Sequence, residues 1–272
     1  HLREHEHRAV HSNAYTTALP DHAYCDNWVA DQGLELLDGA PSDRPWHMVV
    51  NFVGPHGPMD ITQNMRDKCE NITIPTPHNP IVSEEESSKR ARRNYAAMIE
   101  NIDRLAGRFV EQVKRRGEYD NTVIVYASDH GDMLGDHGKW GKGTWRDPAV
   151  RVPLIIRDPF TDHRGLRSGA LVSLHDLAAT FLDFAGCSKL SGMDSMSLRG
   201  LLTDRCGEHR EAVVSELGDW KLAFDGRYKL VVRGGRNSLL FDLEADRFED
   251  HDIGTKRIDL IEGLSRYVSP AV

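Results

Sequence analysis

Between Ser87 and Arg116 apolar residues return every three or four positions, at Tyr95, Met98, Ile99, Ile102, Leu105, Phe109 and Val113. This spacing lines one face of an α-helix and predicts a long helix covering one face of a sheet. Shorter stripes predict helices over Tyr24–Leu37, ended by Gly39-Ala40-Pro41, and over Ser173–Ala185, stopped by Gly186. Val123–Ala127 is instead a compact β-branched and aromatic run of buried-strand character. Glycines at 131, 135, 138, 141 and 143 exclude a regular helix directly after it. His47–Val53 and Val152–Ile156 also read as strands, the first stopped abruptly by Gly54-Pro55-His56-Gly57-Pro58. Residues 60–83, rich in Pro, Asn and Thr, predict a long surface excursion suited to substrate selection.

Strand, helix, strand order from residue 47 to 128 is the pattern of a βαβ crossover. The predicted class is therefore α/β, with a largely parallel or mixed central sheet flanked by helices. From about Cys206 the texture changes. Closely spaced strand candidates at Ala212–Ser215, Trp220–Phe224, Tyr228–Val232 and Ser238–Leu243 are separated by Gly-containing turns, and Ile258–Val268 is helical in pattern. This tail predicts a small C-terminal antiparallel sheet with one helix. The expected division is residues 1–205 as the main α/β part and 206–272 as the small α+β subdomain.

Charge narrows the partners. At 272 residues and net charge −8, the chain lacks the overall basic balance that nucleic-acid binding uses to displace counterions. No apolar run approaches the ~20 residues that cross a bilayer, so no membrane span is expected. Cys25, Cys69, Cys187 and Cys206 are widely separated and form no C-x-x-C pair, which favours idle thiols over a zinc ribbon. His1, His5, His7 and His11 have no ordered spacing to a second cluster, so a solvated segment is the simpler reading. The chain starts at His1 without a leader, which leaves periplasmic or secreted and cytoplasmic localisation equally open.

The chemistry concentrates after Val123–Ala127. Asp129 and His130 stand at that strand's carboxyl edge, where ligands of open α/β sheets bind. A carboxylate oxygen and an imidazole nitrogen can turn towards one cation. Asp132 and Asp136 are the nearest candidates for further ligands. Lys142 lies in a glycine-bracketed loop, as a compact cation suited to an anionic oxygen. His56 follows another expected strand, and its imidazole is the kind of group that can hand a proton to a departing oxyanion near neutral pH. Singly, Lys142 is as readily a solvated charge and His56 a turn residue; together they describe an oxyanion-transfer site.

These residues resemble the sulfatases of the alkaline-phosphatase superfamily. The resemblance rests on Gly54-Pro55-His56-x-Pro58, Ser128-Asp129-His130-Gly131-Asp132-Met-Leu-Gly-x-His137-Gly, Trp140-Gly-Lys142-Gly and Arg151-Val-Pro-Leu-Ile155, in that order. Val172–Gly186, Tyr228-Lys229-Leu230 and Leu240–Asp246 resemble the helix and C-terminal sheet that follow in the family. It implies that residues 1–205 are the C-terminal part of the catalytic α/β domain. Asp129 and His130 would be half of a divalent-cation site, usually for Ca2+, with Mn2+ or Mg2+ as alternatives because many members carry Asn in place of His130. His56 and Lys142 would contact the sulfuryl group and assist the leaving alcohol, and His137 would face the substrate pocket. Histidine at 130 resembles the choline-sulfatase and phosphonate-monoester-hydrolase branch.

One departure shapes the expectation. The family's nucleophile is a formylglycine made from Cys or Ser in C-x-P-S-R or S-x-P-S-R, and neither motif occurs in this sequence. The formylglycine is expected in an N-terminal part ahead of His1, and this chain on its own is expected to hydrolyse no sulfate ester. The implied activity is sulfate-ester hydrolysis, on a sulfated small molecule or carbohydrate. The N-terminal segment or a second copy in a homo-oligomer would be the protein partner. The alternatives are phosphodiester or phosphonate-monoester hydrolysis on the same fold, and a non-catalytic anion-binding module.

Overall fold

The computed structural model describes residues 14–80, 86–203, 207, 209–234 and 237–268. The histidine-rich start and Cys206 lie outside them. The chain divides into two compact units, one built from the chain up to Thr122 with Met133–Gly141, the other from Val123–Asp132 with Lys142 onward.

In the first unit the strands β1 (Tyr15–Thr16) and β2 (Asp60–Ile61) pair in parallel, Tyr15 opposite Asp60. Three helices follow the periodic stripes or depart from them: α1 (Cys25–Asp38), α2 (Gln63–Cys69) and α3 (Glu86–Arg115). The core gathers Tyr24, Met59, Ile61, Met65, Ala97 and Met98, with Trp140 packed against it. Fully burying a side chain such as Met59 or Ile61 contributes about 1.5–3 kcal/mol, enough to organise a short, otherwise polar segment. That explains one correction. Within the expected excursion 60–83, of which 81–83 lie outside the described residues, the chain is no bare loop, because Thr62 caps α2 through its hydroxyl and Met65 and Cys69 fasten α2 into the core. A second correction concerns α3, which packs on α1, α2 and β2.

A third correction concerns residues 47–53, which enter no ladder among the described residues, with Val49 and Val53 exposed. An apolar run becomes a strand only where a neighbour accepts its N–H and C=O groups, and periodicity cannot report that neighbour. No crossover ladder joins 47–53 to 123–127 among the described residues.

In the second unit β3 (Ile124–Ala127) pairs antiparallel with β4 (Leu154–Arg157), Val125 opposite Ile156. Tyr126 and Ala127 are exposed, so β3 is less enclosed than its composition suggests. The helices α4 (Asp147–Val150), α5 (Asp176–Phe184) and α6 (Arg199–Thr203) follow. The tail forms the expected antiparallel meander of β5 (Val213–Leu217), β6 (Trp220–Phe224), β7 (Tyr228–Arg233) and β8 (Asn237–Asp242). It is closed by α7 (Ile258–Val268).

Period-two alternation gives this meander two buried faces. Ala223, Leu230 and Leu240 meet Leu264 and Val268 of α7 on one face. Trp220, Leu222, Val231 and Phe241 meet Trp145 and Val150 on the other. Lys229 shares the parity of Val231 and therefore points into the second face. Among the described residues no helix is long and apolar enough to cross a membrane.

Candidate functional site

The loop leaving β3 is organised by its own side chains. Ser128 Oγ donates to His130 O at 2.7 Å, and the His130 amide donates to Asp129 Oδ1 at 2.8 Å. His130 Nδ1 lies 2.8 Å from Gly131 O. A carbonyl only accepts, so Nδ1 carries a hydrogen, and in the neutral ring Nε2 is the nitrogen left to bind a cation. Nε2 lies 3.5 Å from Asp129 Oδ2, beyond a good hydrogen bond. Two donor atoms each about 2.1–2.5 Å from one cation, at a right angle, would be about 3.0–3.5 Å apart. The pair fits two neighbouring positions around a divalent ion. Asp129's side chain is 85% exposed and His130's 31%, so the couple opens outward.

The root of this loop tolerates no side chain. The Gly131 amide donates to Ala149 O at 2.9 Å, and a Cβ on Gly131 would stand 1.9 Å from Pro148 O. Gly131→Ala must therefore push the loop off α4. We expect it to destabilise the protein by about 1–3 kcal/mol, seen as a lower denaturant midpoint; an unchanged midpoint would contradict this packing.

His56 is held by the same device in the other unit. Its Nδ1 lies 2.7 Å from Gly57 O, and the residue is exposed. The segment before it is anchored by Asp26 of α1, whose buried carboxylate accepts from Val53 N at 2.7 Å and Gly54 N at 3.1 Å. Burial pushes the Asp26 carboxyl above its usual range, and the two amides offset this only in part. Asp26 was invisible in the helical stripe, where it reads as an exposed polar position.

His137 has a left-handed backbone, with φ of 52°. Its amide donates to His78 O at 2.8 Å, His78 N donates to Asp136 Oδ1 at 2.7 Å, and the two imidazoles meet edge-on at 5.2 Å. His78 is thus a neighbour of His137 that the sequence reading did not single out. Asp136 uses one carboxylate oxygen to hold residue 78. Lys142 is exposed between Gly141 and Gly143, whose φ values of +71° and +106° suit a sharp turn. Thr144, two residues after Lys142, is buried.

The structure therefore brings Asp129 to His130, and His137 to His78 and Asp136. His56 and His137 belong to the first unit, and Asp129, His130 and Lys142 to the second. Residues 3–187, spanning all of these positions, match the family model for sulfatases. The chain belongs to the sulfatase family. Residues 135–258 of this sulfatase chain also match the model for the C-terminal part of N-sulphoglucosamine sulphohydrolase.

The sulfatase chain is 31% identical to a choline-sulfatase of Rhizobium meliloti over 259 residues, covering 82% of this chain and 49% of that protein. Over 110 residues, 40% of this chain and 20% of the relative, it is 41% identical to an N-acetylglucosamine-6-O-sulfatase of Bacteroides thetaiotaomicron. A solved structure in complex with its substrate D-glucosamine-2-N,6-O-disulfate superposes with a TM-score of 0.82 at 20% identity, over 90% of this chain and 68% of that one. The fold is the alkaline-phosphatase-like α/β fold of such structures, carrying the small antiparallel sheet. The sulfatase chain spans about half the length of the curated relatives it matches.

Proposed function

We propose that this chain serves the hydrolysis of sulfate esters, with Asp129 and His130 holding a divalent cation against the sulfate group. The observation that carries the reading is the donor pair itself: an imidazole held at Nδ1 by Gly131 O, with Nε2 facing a carboxylate oxygen at 3.5 Å, inside the sulfatase match. Sulfatases as a family use a divalent cation and a formylglycine. Asp129 and His130 supply two of the donors such a cation needs, and calcium is the first assignment, from family usage. An imidazole ligand also suits Mn2+, since nitrogen donors favour transition metals over calcium. When bound, the cation supplies positive charge to the oxygens of the sulfate.

The chain's own residues do the rest. His56, with Nδ1–H committed to Gly57 O, presents Nε2 as the atom that would hold the proton for the leaving oxygen. Lys142 would offset charge on the sulfate oxygens, and His137 would border the substrate. A sulfated carbohydrate is the proposed substrate class, supported by the glucosamine sulfatase named above.

The test is a comparison of substrates and cations, with the protein expressed together with whatever segment its gene places ahead of His1. We expect aryl sulfate to be turned over faster than a phenyl phosphonate monoester. We also expect a chelator to abolish turnover and Ca2+ or Mn2+ to restore it. His130→Ala should weaken cation binding at least tenfold. A preference for the phosphonate would move the reading to the phosphonate hydrolases, and full activity in chelator would end the assignment of Asp129 and His130.

A further inference from the structure

Lys229 is among the most buried side chains of the protein, 2% exposed, which is unusual for a lysine. It points from β7 into the face that meets Trp145 and Val150. Its ammonium donates to Asp147 Oδ1, to Glu249 Oε1 at 2.8 Å and to Trp145 O at 3.3 Å. Glu249 is equally enclosed, and its other oxygen accepts the Asp147 amide at 3.0 Å. Arg146 Nη1 donates to Phe248 O at 3.1 Å and Glu249 O at 2.9 Å. The first residue of α4 is thus gripped at both its side chain and its amide by groups rooted in the C-terminal sheet and the segment after it.

The far side of α4 carries the cation loop. Ala149 O accepts the Gly131 amide at 2.9 Å, and Gly131 O in turn accepts His130 Nδ1–H at 2.8 Å. Lys229 and Glu249 are therefore joined to His130 by an unbroken line: Asp147, the single turn of α4, Gly131, then the imidazole. A buried ammonium among two carboxylates is weak evidence for stability, because desolvation opposes the attraction between the charges. It does fix geometry, since each group must keep its partners or stand buried without them.

We propose that Lys229, with Glu249, is a positioning residue for the cation pair: the C-terminal sheet sets the place of α4, and α4 sets the tautomer and direction of His130. This rests on the proposed role of Asp129 and His130. Partners behind a metal-binding histidine typically influence affinity by about 10–100-fold.

The test uses Lys229→Met, which keeps most of the side chain's unbranched length and removes the charge. Titration of the protein with Ca2+ and with Mn2+ should give affinities weaker than wild type by up to about tenfold, the low end of the loss for a direct partner of the histidine. Nitrogen-15 spectra of the His130 ring without cation should change from a single Nδ1–H form to a mixture. Glu249→Gln turns one of the two accepting oxygens into an NH2 that only donates, so either the lysine or the Asp147 amide loses its acceptor, and affinity and ring signal should move in the same direction as in Lys229→Met. If Lys229→Met does not fold, Asp147→Asn carries the same test, because it leaves the lysine bonded to Glu249 and Trp145 O. Wild-type affinity together with an unchanged His130 signal in the folded variant would overturn the inference. Should His130→Ala leave cation binding intact, the cation reading fails instead, and the ring signal still decides whether Lys229 positions His130.

Discussion

Lys142→Ala is expected to lower turnover of a sulfate ester about 100- to 1,000-fold, equivalent to about 2.7–4 kcal/mol of barrier, the usual loss when one preorganised contact to developing charge is removed. The same substitution should leave the denaturant midpoint almost unmoved. Lys142 is exposed on a turn between two glycines, and surface changes of that kind typically alter stability by no more than about 0.5 kcal/mol. Activity lost with stability kept separates a group that touches the sulfate from one that supports the fold. Arginine should not restore the rate, since a planar fork differs in shape and reach from a compact ammonium. Near-normal turnover of Lys142→Ala would return this residue to the solvated surface.

Arg210→Met is expected to destabilise the protein by about 3–5 kcal/mol, because it strips the cation from a buried carboxylate. Asp176, at the first turn of α5, is fully buried. It accepts from Arg210 through both oxygens, from Met196 N at 2.8 Å, from Ser173 N at 3.0 Å and from His209 Nε2 at 3.1 Å. Burial alone would raise this carboxyl, but Arg210 and the two amides outweigh it and hold the group well below the usual carboxylate range. The sign follows from that depression. The stability Asp176 contributes is present above the unfolded value of about 3.9 and is lost as pH falls through the lower folded value. Wild type should therefore lose stability below about pH 4, and Arg210→Met should lose less of it there. Urea midpoints from pH 7 down to pH 3 measure both effects. Adding Asp176→Asn to Arg210→Met should recover part of the loss, since it neutralises the stranded charge. Equal midpoints at pH 7 for wild type and Arg210→Met would show that the pair is replaceable by the surrounding amides.

The helices and the tail strands were legible because their signals are local. The stripe from Tyr95 to Val113 lies within one element, and α3 spans Glu86–Arg115 against an expected Ser87–Arg116. The strands at 220–224 and 228–233 are short, largely apolar runs separated by a tight turn, so composition and turn chemistry agree. Residues 47–53 failed as a strand because a strand is defined by a partner. Helix α2 was missed because its segment has a turn-forming composition, while two buried side chains, Met65 and Cys69, hold it in place.

The candidate site divides in the same way. Asp129, His130, His56, His137 and Lys142 could be named from residue type beside a strand or a glycine-rich turn. Their supports could not. Asp26 holds Val53 across 27 residues, Asp136 holds His78 across 58, and Lys229 meets Asp147 across 82. A window of one or two helical turns contains none of these distances. Within it, Lys229 reads as an ordinary strand lysine and Asp176 as an exposed helix start.

The sequence by itself determined the family, the order of the chemistry-bearing segments and the residue types able to hold a cation and an anion, since each is written in a short contiguous stretch. Only the tertiary structure decided which ring nitrogen of His130 and of His56 meets a backbone carbonyl, which carboxylates are committed to backbone amides, and that a lysine of the C-terminal sheet lies behind the loop of Asp129 and His130. Those properties arise where distant segments share one buried space. There, an unmet hydrogen bond or a stranded charge costs enough to select a single arrangement.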